Sequence, residues 1–375
     1  MRRKIFLIFI YLIFLFVLLE VFSRFYLSAN ARSNLVKLVR CDATWRNFWM
    51  KQHQTRSPEY FYSFDVFDPT KGWALKPNLV NLPVFESKVL NSNSKGIRGG
   101  EYSYEKIEKK RILVFGDSFT FGEEVSDHET YSYYLQEKLP SSEVINLGVH
   151  GYGHDQMLIY LKEEGIKYRP DIVILGFVYE DTQRNILSFR DYAKPRFVLV
   201  NGQLELKNSP VPKPEELLKK EFYRSKFIDL LTILYQKYRQ LTKLQEREAE
   251  TTTTAILDEM VRVIRGVGAR PVFVYLPVFN EMTISGTKLT REEEYFSSYC
   301  QSRRIDHLFL RPYFLSEAQS GVQLKTMQHW DPFEHRIAAD AIAAFLTNIE
   351  ALQSPNLVTP PPKKQARGKR TERHD

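Results

Sequence analysis

The chain has 375 residues, of which 43% are hydrophobic, 26% charged and 14% aromatic. That composition fits one large domain or two small ones around a bulky core, and it excludes a collagen-like, disulfide-scaffold or wholly disordered protein. The formal charge of +8 invites a nucleic-acid or acidic partner, but it sits at the ends: Arg2, Arg3 and Lys4 at the start, and a net +4 over residues 363–375. The body between carries a net charge of only +1, which gives it no general reason to seek phosphate backbones.

Residues Ile5 to Leu19 form an uninterrupted apolar run, continued past Glu20 by Val21, Phe22 and, beyond Arg24, Phe25, Tyr26 and Leu27. With its flanks the run reaches the roughly 20 residues a spanning helix needs. Two readings stand: a secretory signal cut near Ala29-Asn30-Ala31, or an uncleaved signal anchor over 1–29. The distance of that site from the apolar run, and the Arg24 and aromatics before it, favour the anchor. Either way the basic cap stays cytoplasmic and the remainder is exported. Cys41 and Cys300 could pair outside the cytoplasm, but two cysteines carry no pattern, and no Cys/His cluster suggests a metal site.

Residues 30–110 read as a juxtamembrane extension, rich in Gly, Asn, Ser and Pro from 61 onward and built of short strands and turns. An α/β rhythm follows. Strands are expected at 111–116, 143–147, 171–177, 271–276 and, as a fifth, 305–310. Helices are expected at 128–139, 155–165, about 255–266 and 335–349. The alternation implies a mostly parallel sheet covered on both faces, a domain of 111–350. Residues 186–253 break the rhythm and read as an insertion, with Asn201-Gly202 as a hairpin turn and one or two charged helices over 214–250. The tail 351–375 is too polar and basic to bury anything.

Chemistry concentrates at Gly116-Asp117-Ser118-Phe119. A Ser at a strand-to-helix junction lies at the carboxyl edge of the sheet, where open α/β proteins place their sites. A helix N-terminus there would favour a developing anion. On position alone Ser118 reads equally well as a plain helix N-cap.

The GDSF block, Asn146-Leu147-Gly148-Val149-His150-Gly151-Tyr152-Gly153, the run Pro170 to Phe177, and His329-Trp330 before the last helix together resemble the SGNH/GDSL hydrolase superfamily. More narrowly, the chain is similar to a bacterial membrane-associated branch linked to polysaccharide O-acetylation. Further blocks are KGWALKPN, NSKGIRG, Lys194-Pro195-Arg196-Phe197 and Pro210-Val211-Pro212. The likeness covers 61–211 and 255–348. It implies a flavodoxin-like three-layer α/β/α sandwich, here with a helical insertion and an N-terminal transmembrane helix. It also implies Ser118 as nucleophile and His329 as base, with an oxyanion hole from the N–H groups of Ser118 and Gly151 and a side chain at position 180.

Two positions depart from the family. Its oxyanion Asn falls at Glu180, and its orienting Asp falls at Thr326 or Met327, so Asp331 or Glu334 is left to serve the imidazole. A second register pairs Asp331 with His335. His150 and His154 line the Gly-rich loop, either toward substrate or as structural residues. Arg184-Asn185 could face the cleft, and Glu180-Asp181 do not make a glycosidase pair. The expectation is an esterase or O-acyltransferase of the cell membrane's outer side, working on acylated carbohydrate, with no cofactor, no metal and no nucleic acid. A membrane acyltransferase is a possible partner, and a non-catalytic binding module is the rival reading.

Overall fold

The computed structural model describes residues 2–30, 35, 38–53, 63–105, 108–278, 281–282, 284, 288–325 and 329–351. The tail after 351, and positions 326 and 327 with their departures from the family, lie outside the described residues.

Helix α1 (Arg2–Asn30) carries the apolar run and is long and apolar enough to cross a membrane, with a mean hydropathy of 3.0 over its best window. It continues through Ala29 and Asn30, so the candidate cleavage stretch is helical up to that point. Helix α2 (Asp42–His53) follows, then two small antiparallel hairpins, β1 (Asp65–Asp68) with β2 (Gly72–Leu75) and β3 (Leu82–Val84) with β4 (Lys88–Leu90).

The α/β core then runs in chain order as β5 (Lys110–Phe115), α3 (Ser118–Phe121), α4 (Tyr131–Lys138), β6 (Ser142–Asn146), α5 (His154–Glu163), β7 (Ile172–Phe177) and α6 (Asp181–Arg184). After the inserted segment come β10 (Arg270–Tyr275), α10 (Arg291–Ser302), β11 (Asp306–Phe309), α11 (Arg311–Gln319) and α12 (Pro332–Ala351). Each expected strand is present within a residue or so of its predicted bounds. The sheet order is β6-β5-β7-β10-β11 and every pairing is parallel. Numbered by appearance this is 2-1-3-4-5, the flavodoxin-like winding, which opens a crevice at the carboxyl ends of β5 and β7 where the chain reverses direction across the sheet.

The strands are apolar on both faces because both faces are covered. In β5, Leu113 and Phe115 point into a core shared with α5, whereas Ile112 and Val114 point into one shared with α4 and α12. In β7, Val173, Leu175 and Phe177 alternate in the same way with Ile172 and Ile174.

The inserted region holds a hairpin, β8 (Arg196–Val200) and β9 (Gln203–Lys207), and helices α7 (Pro214–Phe222), α8 (Lys226–Leu241) and α9 (Leu244–Gly266). Asn201 and Gly202 both take positive φ, +51° and +78°, as a two-residue hairpin turn requires. The helix expected from about 255 is the second half of α9, which begins eleven residues earlier because its first turns are charged rather than periodic. Cys41 and Cys300 are both buried and unpaired, which corrects the possibility of a disulfide: they belong to two separate apolar clusters.

Candidate active site

Ser118 is the first residue of α3, directly beyond β5, and is 5% exposed. As the first helical residue its N–H has no partner a turn earlier. The N-cap is Asp117, not Ser118: Asp117 Oδ1 accepts from Phe119 N at 3.1 Å. That leaves the Ser118 hydroxyl for chemistry. His329 Nε2 stands 2.8 Å from Ser118 Oγ. Ser118 and His329, 211 residues apart in sequence, thus meet at the crevice.

The His329 ring is held by its neighbours. It packs 5.1 Å from the Phe119 ring. Trp330 is buried against Phe119 and Phe314 and donates from Nε1 to Pro277 O at 3.3 Å. Neither Asp331 nor Glu334 serves His329, which corrects the expected orienting carboxylate. Asp331 Oδ1 accepts from Phe333 N and Glu334 N at 2.9 and 3.0 Å, and Glu334 Oε2 accepts from Asp331 N at 2.9 Å. The two carboxylates form a reciprocal cap on α12, and neither comes within 4.0 Å of the His329 ring nitrogens. The second register fails as well. His335 is fully buried, its Nδ1 accepts from Tyr131 N at 3.1 Å, and burial presses its pKa down to about 3.

The carboxylate that faces the imidazole is Glu124, which sequence reasoning missed. Its Oε1 lies 3.6 Å from His329 Nδ1, on the far side of the ring from Ser118. That is wider than a hydrogen bond, a gap that catalytic pairs commonly close only once substrate is bound. The facing His329 ring, opposed by partial burial and aided by Lys325 Nζ at 2.5 Å, holds the Glu124 carboxyl below its ordinary pKa. Glu123 Oε2 lies 3.7 Å from His329 Nε2, so two carboxylates bracket the ring.

Both glutamates sit on the turn after α3, and Arg98 from the NSKGIRG block fixes that turn. Its buried guanidinium donates to Phe121 O (2.7 Å), Gly122 O (2.6 Å) and Val125 O (2.7 Å), and it pairs with Asp127 at 2.7 Å. Glu124 holds φ +71°, a left-handed backbone that non-glycine residues take at a cost of order 1 kcal/mol and that clusters at functional sites.

Gly151 occupies the loop after β6 at φ +73°, and a Cβ there would come within 2.6 Å of Asp191 Oδ2 and 2.7 Å of Arg190 Nη1. Among the described residues its N–H donates to no backbone carbonyl outside regular elements, which keeps it available for an oxyanion. The loop is clamped from outside: Trp73 Nε1 donates to His150 O at 3.0 Å, and Tyr152 Oη donates to Trp73 O at 2.5 Å. His150 is structural, paired with Asp65 at 2.7 Å, and so is His154, stacked 4.9 Å from Phe177 with its pKa pressed by burial to about 3. The extension 63–105 is therefore part of the site's scaffold.

Glu180 does not replace the family's Asn as a donor, since a carboxylate has no proton to give an oxyanion. It is 40% exposed and turned toward Arg40 at 3.4 Å, in a cavity of about 160 Å³ lined also by Trp45, Gln183, Arg184, Leu187 and Arg190. Arg184 and Arg190 line the same cavity as Glu180. Arg184 bridges Asp117 Oδ2 at 3.1 Å and Asp181 Oδ1 at 2.6 Å, and donates to Tyr152 O at 2.9 Å. Arg184 thus does reach the crevice, whereas Asn185 packs away from it, between His154 and Thr253.

No protein-family profile matches the chain, and no curated protein does. Solved structures do. A lipolytic protein of the G-D-S-L family from Veillonella parvula is 12% identical over 64% of this chain and 98% of its own, with a TM-score of 0.40. LAE5, an alpha/beta hydrolase enzyme from the metagenome of Lake Arreo, is 14% identical over 65% and 97%, at 0.41. A catalytic mutant of Axe2, an acetylxylan esterase from Geobacillus stearothermophilus, is 14% identical over 64% and 96%, at 0.37. These superpositions are loose, and the chain's own strand order and Ser118–His329 pair stand without them. That order, with Ser118 after the first core strand and His329 before the last helix, is a flavodoxin-like three-layer α/β/α fold.

Proposed function

We propose that this protein is a serine acyl-ester hydrolase or O-acyltransferase that works on O-acyl groups of an extracytoplasmic polysaccharide, held at the membrane by α1. The observation that carries the reading is the 2.8 Å contact between Ser118 Oγ and His329 Nε2 at the crevice, with Glu124 behind the ring. Ser118 Oγ attacks the acyl carbonyl while His329 Nε2 takes its proton, and Glu124 steadies the imidazolium. The oxyanion is met by the N–H groups of Ser118 and Gly151. His329 then returns the proton to the departing alcohol oxygen, leaving an acyl-Ser118. Water releases the acid, and a sugar hydroxyl in its place receives the acyl group. The basic cap Arg2-Arg3-Lys4 at the start of α1 supports a catalytic domain outside the cytoplasm, where a membrane acyltransferase could load Ser118.

Glu180 at the family's Asn position favours a second reading, a carbohydrate-binding module without turnover. The full chain in mild detergent distinguishes them. Aryl acetate turnover together with an acetyl adduct on Ser118, both lost in Ser118→Ala, supports the enzyme. Equal turnover in the two proteins and no adduct sinks it, and polysaccharide binding that survives Ser118→Ala without any turnover establishes the module.

A further inference from the structure

Helix α8 is built inside out. A helix on a globular domain turns its apolar stripe to the core. In α8 the buried positions are Asp229 and Ile233, while Ile228, Leu231, Leu234, Tyr235, Tyr238 and Leu241 are exposed. At about 100° per residue these six fall within a sector of roughly 140°, opposite the buried pair. The stripe runs roughly 20 Å, from Ile228 to Leu241 of the 16-residue helix. Phe222 and Tyr223, just before α8, are 75% and 85% exposed.

Contacts with α1 fix where α8 lies along the apolar helix. The Phe227 ring packs edge-on against Phe16 at 6.0 Å, and Phe16 belongs to the apolar run of α1. Glu20, the one acidic residue in that helix, accepts from Ser225 Oγ at 2.7 Å and from Lys226 N and Phe227 N at 3.0 Å each. It therefore caps the free N–H groups of α8, which explains a carboxylate at the end of a spanning stretch. Arg24 donates to Arg224 O at 3.1 Å, and Leu27 shares an apolar cluster with Ile233 and Leu230. The start of α8 thus lies level with the exit of α1 from its apolar run. Exposed Phe22, Phe25 and Tyr26 ring the same level, as aromatics do at a membrane–water boundary. Residues 214–243 carry seven Lys/Arg against four Asp/Glu, which suits anionic headgroups.

We propose that α8 is an interfacial membrane helix, its outward apolar face seated in the bilayer surface beside α1, so that the catalytic domain is held against the lipid at two places and not swung on a single tether. Such a face, apolar with basic flanks, is what binds a lipid surface in the plane of the interface. The inference rests on reading α1 as a membrane anchor, and it is independent of the esterase reading.

The test uses the full chain in vesicles of phosphatidylethanolamine and phosphatidylglycerol, with an environment-sensitive fluorophore on single introduced thiols. Cys41 and Cys300 are buried and do not compete. Leu231→Cys and Tyr238→Cys report on α8, Phe9→Cys on α1, and Arg262→Cys, on exposed α9 surface, on water. The expected result is quenching by spin-labelled lipid at 231 and 238 about twofold or more above that at 262, with shielding from iodide. Quenching at Phe9 but water-like behaviour at 231 and 238 overturns the proposal. Shielding from both iodide and lipid quencher, or shielding that grows with protein-to-lipid ratio, assigns the face to a protein or a second copy and overturns it too. An unquenched Phe9 removes the anchor and the proposal together. In none of these variants should turnover of a soluble aryl acetate change, so loss of esterase activity is read separately.

Discussion

Glu124 Oε1 faces His329 Nδ1 at 3.6 Å while Ser118 Oγ holds the opposite nitrogen at 2.8 Å. His329 Nδ1 has no hydrogen-bond partner among the described residues, so Glu124 is positioned to become one. In the proposed mechanism the orienting acid therefore comes from the turn after Ser118, six residues on, and not from the segment around the histidine. Glu124→Gln keeps the shape and removes the charge. Turnover of an aryl acetate should fall on the order of 10²-fold, within the range a general acid–base array supplies. Glu124→Asp should recover part of the loss, and thermal stability should barely change. Turnover within threefold or so of the parent would remove Glu124 from the mechanism.

Arg98 sets where that carboxylate stands. Its guanidinium caps three carbonyls around Glu123 and Glu124 and pairs with Asp127. Lysine keeps the charge but cannot reproduce the planar fork. Arg98→Lys should lower kcat more than it raises KM, and should cost roughly 2–3 kcal/mol of stability from buried carbonyls left unpaired. Steady-state kinetics with thermal unfolding in detergent measures both.

The parts of this molecule that were legible in the sequence are those set by local pattern. Short apolar runs punctuated by Pro and Gly gave five parallel strands, and Asn201-Gly202 gave a hairpin, because period and turn chemistry are short-range. Ser118 and His329 were singled out through their blocks, and the fold brings them within 2.8 Å. Glu124 was not, because its role comes from a left-handed backbone at φ +71° and from a histidine brought in across the sheet. Asp331 misled for the converse reason: two residues from His329 in sequence, it is committed to the N-terminus of α12. His150 likewise could not be told from a substrate ligand until Asp65, 85 residues away, was seen against it.

Glu180 offers a test of what does not carry catalysis. Its carboxylate points to Arg40 at 3.4 Å, and both side chains are about two-fifths exposed, so the pair is worth at most about 1 kcal/mol. Glu180→Gln removes a negative charge near the crevice and adds a donor. Turnover should be maintained or raised, with a change in unfolding free energy below about 1 kcal/mol. A fall of tenfold or more would place the carboxylate itself in the reaction.

His335 fixes the sign of one pH dependence. Burial, then Arg98, holds its folded pKa near 3, against an ordinary value of 6.5. Below pH 6.5 the unfolded chain binds a proton that the folded chain refuses, so this group's contribution to stability is intact above 6.5 and is lost as pH falls toward 3. The slope is about 1.4 kcal/mol per pH unit once the unfolded histidine is charged. Glu334, raised by burial to about 7, acts in the opposite direction, since its folded carboxyl takes up a proton before the unfolded one does. The parent's total slope therefore mixes several groups, and the difference from His335→Gln isolates one of them. Gln can still accept from Tyr131 N, which His335 Nδ1 does at 3.1 Å, and it does not titrate. Between pH 6 and 4 the parent should lose stability faster than the variant, by about 1.4 kcal/mol per pH unit. Chemical unfolding followed by tryptophan fluorescence at several pH values gives both slopes. Parallel slopes would mean that His335 is protonated in the folded protein and that its burial has been misread.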